Sequence, residues 1–168
     1  MDKIRLFRKL IENESLHLMI NSNTLSMSPL IIQGDYIYLN RYDDTPHPGD
    51  IILAYYDKGD DCLICHRVVK CKNNIIYTKG DNNYNKDYYT DESSSLINSY
   101  IATITAIMRG NHYIDLTTNR SRLINKLIAR VSVKCVPKKN VFLTELNFSI
   151  HRIEILLLQL LYKRQKNT

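Results

Sequence analysis

Four residues of this chain have the types and spacing that nucleophilic catalysis requires: Ser26, His66, Asp81 and Asp87. A serine hydroxyl is a weak nucleophile, so it needs an adjacent base, and that base is usually held by a third group. A neutral imidazole can serve as the base near neutral pH. A carboxylate that accepts the other ring N–H would hold the imidazole in the required tautomer.

Each candidate stands in a short motif. The serine begins Ser26-Met27-Ser28-Pro29, and Gly34-Asp35 follows five residues after the proline. The histidine begins His66-Arg67-Val68, and the aspartates belong to Gly80-Asp81-Asn82-Asn83 and to the Asp87 that follows it. In this order the motifs resemble the signal peptidase I family, specifically its serine–histidine branch of archaea, the endoplasmic reticulum and some Gram-positive bacteria. The resemblance runs from about residue 24 to about residue 108, half of the chain.

The resemblance implies a role for each residue. Ser26 would be the nucleophile, and His66 would be the general base at the place where the bacterial branch has a lysine. Met27 would line the substrate groove, and Pro29, whose ring fixes φ, would hold the loop open around the hydroxyl. Backbone N–H groups near Ser26 are the expected oxyanion-hole donors, with the Thr24 hydroxyl as a further candidate.

The group that orients the imidazole is one of two aspartates. The family register favours Asp87 for this role and Asp81 as a support for the turn, while the residues alone leave both assignments open. Asp35 and Asp50 also follow glycines, and because Gly-Asp pairs are typical of turns, we predict that these two are turn or strand-start residues.

A competing motif overlaps the histidine. Residues 62–66 read Cys-Leu-Ile-Cys-His, the pattern of covalent c-type haem attachment. Residues three apart in a strand face opposite sides, so Cys62 and Cys65 could not hold one porphyrin there. A zinc site that adds Cys71 lacks a second spaced pair of ligands. We therefore predict reduced thiols, no metal and no cofactor, with Cys65 and Cys135 packed in the core.

The residue pattern predicts a mainly β (α+β) fold. The chain has 168 residues, of which 44% are hydrophobic, enough for one domain with a real core. Short runs rich in Tyr, Ile and Val, separated by turns, predict strands at residues 35–40, 50–56, 62–70, 74–79, 100–108 and 112–116. The resemblance implies the β-core that signal peptidases share with the SOS-repressor proteases.

Apolar residues at helical spacing predict three helices around these strands. The first covers residues 2–12, and residues 16–20 either continue it or begin a strand. The second follows residue 119, with Leu123, Leu127 and Val131 on one stripe, and the third runs from about 141 to 163. Its predicted stripe comprises Phe142, Leu146, Ile150, Ile153, Leu157, Leu160 and Leu161.

We accordingly divide the chain into three segments. Residues 1–20 form an N-terminal amphipathic helix, residues 21–117 form the catalytic β-domain, and residues 118–168 form a basic helical appendage. The net charge of the whole chain is +6, and residues 109–168 alone carry +9. A basic tail predicts contact with an anionic surface, such as a membrane, an acidic peptide or a transporter. The alternative is that these basic residues only form the solvated faces of two helices. No nucleic-acid-binding motif is present, so nucleic acid is not expected.

Two features of the sequence predict where the protein is located. Polar residues interrupt residues 1–20 before an apolar run develops, so no signal peptide is predicted. No apolar stretch reaches the length of about 18 residues that a spanning helix needs. We expect a cytoplasmic protein that either stays free or contacts the inner face of the membrane peripherally, whereas members of the resembled family are normally anchored.

Three functions follow from these observations. The first is a serine endopeptidase that cleaves an extended leader or signal-like peptide through an acyl-enzyme. The second is a self-cleaving regulator of the SOS-repressor protease type; those proteins use a lysine base and cut before a glycine that follows Ala or Cys, a pair that this chain lacks. The third is a catalytically inactive peptide-binding module, against which the complete Ser, His and Asp set argues.

Overall fold

An antiparallel sheet of seven strands organises the described part of the chain, in an α+β fold that was obtained as a computed structural model. The structure describes residues 3–13, 16–23, 25–40, 45–56, 62–72, 75–85, 87, 100–134 and 141–162. The strands are β1 (His17–Met19), β2 (Tyr36–Asn40), β3 (Ile51–Tyr56), β4 (Cys62–Lys72), β5 (Ile75–Lys79), β6 (Tyr100–Arg109) and β7 (His112–Asp115). The helices are α1 (Lys3–Asn13), α2 (Asn119–Lys134) and α3 (Val141–Leu160).

The strands follow one another in the spatial order β1-β2-β6-β3-β4-β5, and β7 adds a further antiparallel pair to β6. The prediction of a mainly β (α+β) fold is confirmed at this level. The predicted strands agree with the observed ones to within one or two residues at each end, because β-branched and aromatic residues fill them and turn residues separate them. Residues 17–19 form a strand, which decides the alternative left open for residues 16–20.

Strand β4 determines where the candidate base lies. His66 is opposite Ile52 of β3. Arg67 is flanked by Ile51 of β3 and Lys79 of β5. Because successive side chains of a strand point to opposite faces, His66 and Arg67 enter two different layers of the protein.

One hydrophobic core joins the sheet to all three described helices. Ile11 of α1, Ile128 of α2 and Ile155 of α3 belong to the same buried cluster as Ile37 and Ile107 of the sheet. Helix α1 is tied down further, because its Arg8 donates two hydrogen bonds to the carbonyl of Tyr100. The segment that we predicted as a C-terminal appendage therefore contributes directly to the core beneath the sheet.

The buried face of α2 differs from the predicted stripe. Of the predicted stripe, Leu123 is 60% exposed, whereas Leu127 is half-buried and Val131 packs against the core. The buried residues are Ser121, Ile124, Asn125, Ile128, Ala129 and Ser132. Asn125 and Ser132 on this face are hydrogen-bond partners of the buried Arg67 and Lys79 of the sheet. Apolar spacing in the sequence does not reveal such a requirement.

Most of the described apolar stripe of α3 is on the outside of the helix, since Ile150, Ile153, Leu157 and Leu160 are each about half exposed. Leu161 of the stripe packs against the core, and the described buried residues of the helix are Ile155 and Gln159. The run of residues 155–158 makes the helix apolar nearly all round near its end, so periodicity could not select the inner face there. The predicted stripe residues Phe142 and Leu146 have side chains outside the described set.

Among the described residues, no helix combines the length and the apolar character needed to cross a membrane.

Candidate active site

Ser26 lies in a tight turn that is closed by backbone hydrogen bonds. The N–H of Ser28 donates to the carbonyl of Leu25 at 3.0 Å, and the N–H of Ile31 donates to the carbonyl of Met27 at 3.1 Å. Ser26 itself is half-buried. The Ser28–Pro29 peptide bond is cis.

Met27 occupies a different position from the one implied by the resemblance. Its side chain is 3% exposed and belongs to the hydrophobic core, so it packs inside the protein and not along an open groove. Its sulfur accepts a hydrogen bond from the backbone N–H of Asp81 at 3.5 Å. Pro29 is half-buried, and its carbonyl accepts a hydrogen bond from Arg109. Both residues thus fix the turn, and a contact with substrate stays a prediction for Pro29.

Asp35 and Arg109 hold the end of the same loop. Arg109 Nε and Nη2 each donate to one oxygen of the Asp35 carboxylate at 2.7 Å. Nη2 also donates to the carbonyls of Pro29 and Leu30 at 3.1 Å. Hydrogen bonding to Asp35 outweighs burial and raises the pKa of Arg109 above its ordinary value. The Gly34-Asp35 turn thus has a structural role, as expected, while the partnership with Arg109 was not predicted.

His66 reaches the candidate nucleophile from strand β4. Its Nε2 lies 3.1 Å from Ser26 Oγ, and the residue is 9% exposed. Because β4 is paired on both sides, the backbone that carries the ring is held in the middle of the sheet. Two residues 40 positions apart in the sequence are therefore within hydrogen-bond distance.

Asp87 completes a relay of three side chains. Its Oδ2 lies 2.6 Å from His66 Nδ1 and also accepts a hydrogen bond from the Thr78 hydroxyl at 2.6 Å. The Asp87 N–H donates to the Thr78 carbonyl at 2.9 Å, which fixes the carboxylate beside the end of β5. A carboxylate can only accept, so Nδ1 donates the hydrogen, and in the neutral ring Nε2 is left as the acceptor for the Ser26 hydroxyl.

Asp81 has a separate and fully buried partner. Arg67 donates to its two carboxylate oxygens at 2.7 and 2.8 Å, and neither side chain is exposed. Burial alone would lower the pKa of Arg67, but the charge and hydrogen bonds of Asp81 outweigh it and raise that pKa above its ordinary value. Of the two candidate aspartates, Asp87 contacts the imidazole and Asp81 does not.

Helices α2 and α3 supply further partners of this ion pair, besides the Gly49 carbonyl, which accepts from Arg67 Nη1 at 2.9 Å. Arg67 Nη1 donates to Asn125 of α2, which also accepts the Tyr162 hydroxyl. Gln159 of α3 donates to Asp81 Oδ2 at 2.9 Å. A buried ion pair requires hydrogen bonds at its remaining atoms, and the two helices provide them. A charged residue inside an apolar strand was the signal in the sequence that a buried partner had to exist, but it did not identify Asn125, Gln159 or Tyr162.

The turn after β5 contacts the nucleophile's own backbone. The N–H of Asn82 donates to the Ser26 carbonyl at 2.7 Å, and the Asn82 side chain donates to the Leu25 carbonyl at 3.0 Å. A Cβ on Gly80 would lie 2.8 Å from the same Ser26 carbonyl oxygen, closer than real Cβ contacts. Glycine is therefore needed where this turn crosses the serine loop.

The other predicted site features have less structural support. Thr24 lies outside the described residues, so its suggested part in an oxyanion hole stays a prediction. Cys65 is partly buried against the core, and burial raises the pKa of its thiol to about 12, which disfavours a thiolate nucleophile. Cys135 and the side chain of Cys62 lie outside the described residues. Within the described part of the chain, no three His, Cys, Asp or Glu side chains are grouped as metal ligands would be.

Comparisons with models of protein families, with curated proteins and with solved structures found no match to this chain. The functional conclusion therefore depends on the geometry of these side chains and on the resemblance of the motifs.

Proposed function

We propose that this chain is a serine endopeptidase with Ser26 as nucleophile, His66 as general base and Asp87 as the residue that orients the base. The observation that carries the proposal is the continuous relay from Ser26 Oγ through the imidazole to the Asp87 carboxylate, with distances of 3.1 and 2.6 Å. Such a relay activates a hydroxyl that is otherwise a weak nucleophile.

The chemistry runs in two halves. Ser26 Oγ attacks the scissile carbonyl carbon while His66 Nε2 takes the hydroxyl proton, and Asp87 stabilises the imidazolium that forms. His66 then gives this proton to the leaving amine as the C–N bond breaks, which leaves an acyl-enzyme on Ser26. A water molecule attacks the ester, His66 takes a proton from it and returns it to Ser26, and the carboxylic acid product departs. Backbone N–H groups near Ser26 are proposed to stabilise the oxyanion.

The proposed substrate is an extended leader or signal-like peptide with small residues near the cleavage point. Its class comes from the resemblance of the three motifs to the serine–histidine signal peptidases, and with it we propose the signal-peptidase type of β-core. An extended substrate pairs with a free strand edge. Strand β5 supports such a mode, because it lies at one end of the strand order and leads directly into the turn that touches Ser26.

A peripheral contact with an anionic membrane or a transporter, in a cytoplasmic setting, remains part of the proposal. The support is the net charge of +9 over residues 109–168, together with the exposed side chains of Ile153 and Leu157 on α3. A surface of this composition should bind anionic vesicles in a salt-sensitive manner. Co-sedimentation with phosphatidylglycerol vesicles at low and high salt measures this, and equal recovery without vesicles would remove the contact.

Covalent labelling tests the proposed activity directly. A fluorophosphonate probe reacts with an activated serine, so the wild type should be labelled, while Ser26→Ala and His66→Ala should not. Ser28→Ala is the matched control, because it removes a hydroxyl two residues away and should keep the label. Tryptic mapping of the adduct identifies the labelled residue.

The same set of proteins separates an enzyme from an inactive binding module. A folded wild type that neither reacts with the probe nor cleaves any member of a peptide library would contradict the peptidase assignment. Labelling that persists in His66→Ala would also contradict it, because the hydroxyl would then not depend on the imidazole.

A further inference from the structure

A concave surface lies on the other side of β4 from the candidate active site. It is a cleft of about 1010 Å³ between α2, the turn at residues 45–50, and strands β3 and β6. Gly49 and Asn125 line it, and both accept hydrogen bonds from Arg67, whose side chain points away from the face that carries His66. The cleft is therefore separate from the relay of Ser26, His66 and Asp87.

Four cations line one side of this cleft. Arg122, Lys126, Arg130 and Lys134 follow one another at intervals of four residues along α2, and each of them is exposed. Their side chains make no hydrogen bond or ion pair with any residue that the structure describes. Like charges four residues apart destabilise a helix by about 0.2–0.5 kcal/mol per pair. A negatively charged ligand would relieve this repulsion.

The opposing charge among the described residues of the cleft is small. Asp50 is the described acidic residue that lines it, and its carboxylate accepts the backbone N–H of His47 at 2.7 Å. This carboxylate is engaged in its own turn and does not reach the described cations as a partner. The cleft thus presents a net positive wall to whatever enters it.

The floor of the cleft is apolar, and the one exposed aromatic ring among the described lining residues is His47 in the turn at residues 45–50. Pro48 and Val133 contribute accessible apolar surface to the cleft, whereas Tyr100 is 2% exposed. Single-stranded nucleic acids are bound by basic grooves with exposed aromatic platforms, which this floor does not provide. A bilayer surface cannot follow a concave wall. Acidic side chains for the wall and apolar side chains for the floor are together available in a peptide.

We propose that the cleft beside α2 is a binding site for an acidic peptide segment that also carries apolar residues. The four cations pair with its carboxylates, and the apolar floor receives its aliphatic side chains. This inference goes beyond the proposed peptidase function and does not depend on it, because binding can be measured with a protein that cleaves nothing.

Fluorescence anisotropy with a defined probe tests the site. The probe is a fluorescein-labelled twelve-residue peptide of alternating Glu and Leu, and the matching Gln and Leu peptide is the uncharged comparison. The proteins are the full chain, Lys126→Glu/Arg130→Glu in the cleft, and Lys72→Glu/Arg152→Glu. This last double variant changes the net charge by the same amount at two exposed positions that do not line the cleft.

We expect saturable binding of the acidic peptide, about tenfold weaker for the Gln peptide and about tenfold weaker for the cleft variant, and a change below about threefold for the control variant. Affinity should fall as salt is raised. If the cleft variant does not fold, Lys126→Gln/Arg130→Gln takes its place with the same expected loss. Three outcomes each overturn the proposal: no saturable binding, equal losses in both double variants, or tighter binding of a single-stranded oligonucleotide of equal charge.

Discussion

The backbone N–H of Asn82 donates a 2.7 Å hydrogen bond to the carbonyl oxygen of Ser26. This bond connects two sequence motifs that are more than 50 residues apart and places the turn after β5 directly against the candidate nucleophile. The same turn carries Asp81, whose ion pair with Arg67 is fully buried. Fixing the turn therefore also fixes the serine, and separate aspartates contact the imidazole and support the loop.

Gly80→Ala should lower both stability and reactivity. The added Cβ would lie 2.8 Å from the Ser26 carbonyl oxygen and from the Asn83 side chain, so the turn and the serine loop must separate. We expect a loss of about 1–3 kcal/mol in the free energy of unfolding. The rate of fluorophosphonate labelling should fall by roughly ten- to a hundredfold, because small displacements at a reacting centre are costly.

Gly110→Ala is the control for this glycine. Gly110 has a φ of +56°, and no described atom outside its immediate neighbours lies within 4 Å of the position that a Cβ would take, so alanine there adds backbone strain without a collision. Stability should decrease by about 1–2 kcal/mol, while the folded protein should be labelled at the wild-type rate. Equal labelling of the Gly80 variant and the Gly110 variant would mean that the contact with Ser26 does not position the hydroxyl.

Asp87→Asn and Asp81→Asn should separate orientation from support. An amide at position 87 can donate to Nδ1, which favours the tautomer in which Nε2 carries a hydrogen and cannot accept the serine proton. We expect labelling to fall by about 10⁴-fold, the size of effect known for such a change in a serine protease triad. The melting temperature should change little.

Asp81→Asn should behave in the opposite way. Removing one charge of a buried pair leaves Arg67 uncompensated, which costs about 3–5 kcal/mol in the free energy of unfolding. The folded fraction should keep most of its reactivity. Asp50→Asn in the partly exposed turn is the comparison and should change stability by less than about 1 kcal/mol. Chemical denaturation and fluorophosphonate labelling of all three variants test whether Asp87 orients the imidazole and Asp81 supports the turn. A large loss of reactivity at constant stability in Asp81→Asn would reverse these two roles.

Two substitutions of Gln159 should separate the effect of charge from the effect of shape on stability beside the buried ion pair. Gln159→Glu would place a second carboxylate against Asp81 Oδ2, so it should destabilise the protein strongly at neutral pH and less at acidic pH, where the new carboxyl is protonated. Gln159→Leu removes a hydrogen bond, and with it an Oε1 atom that is buried without a partner among the described residues. We expect it to cost only about 1 kcal/mol. Urea denaturation at pH 5 and pH 7 measures both, and equal effects would contradict a charge-specific role.

Alkaline pH should weaken the fold through Cys65. Burial raises the pKa of this thiol from its ordinary 9.0 to about 12. Between these values the unfolded chain loses the proton while the folded protein keeps it, so the contribution of Cys65 is complete below pH 9 and is lost as the pH rises towards 12. The free energy of unfolding should therefore fall less steeply above about pH 9 in Cys65→Ser than in the wild type.

Cys71→Ser is the matched variant for the alkaline experiment. The pKa of Cys71 is also raised by burial, but the residue is exposed. Cys71→Ser should therefore change the pH dependence of the free energy of unfolding less than Cys65→Ser does. Denaturation curves at pH 8, 9, 10 and 11 give the slopes. Identical slopes for the wild type and Cys65→Ser would show that the thiol is not protonated preferentially in the folded state.

The elements of this fold and the chemical types of its candidate site could be predicted from the sequence. Strand ends were placed within one or two residues, because β-branched runs and Gly-Asp turns are local properties of the chain. The serine, the imidazole and the two aspartates were identified for the same reason, since their motifs are short and continuous. The apolar stripes of α2 and α3 did not show which side of each helix is buried, because an apolar period does not indicate which polar residues will be needed as partners of buried charges.

Only the tertiary structure shows which of Asp81 and Asp87 contacts the imidazole. Both follow β5 within eight residues, and the choice depends on the register of β4 against β5, including the shift between Val68 and Lys70 that no local pattern encodes. That register sends His66 towards Thr78 and Asp87 and sends Arg67 towards Asp81 and the C-terminal helices. The residue types are properties of the chain, whereas the distances between them depend on how strands and helices far apart in sequence pack together.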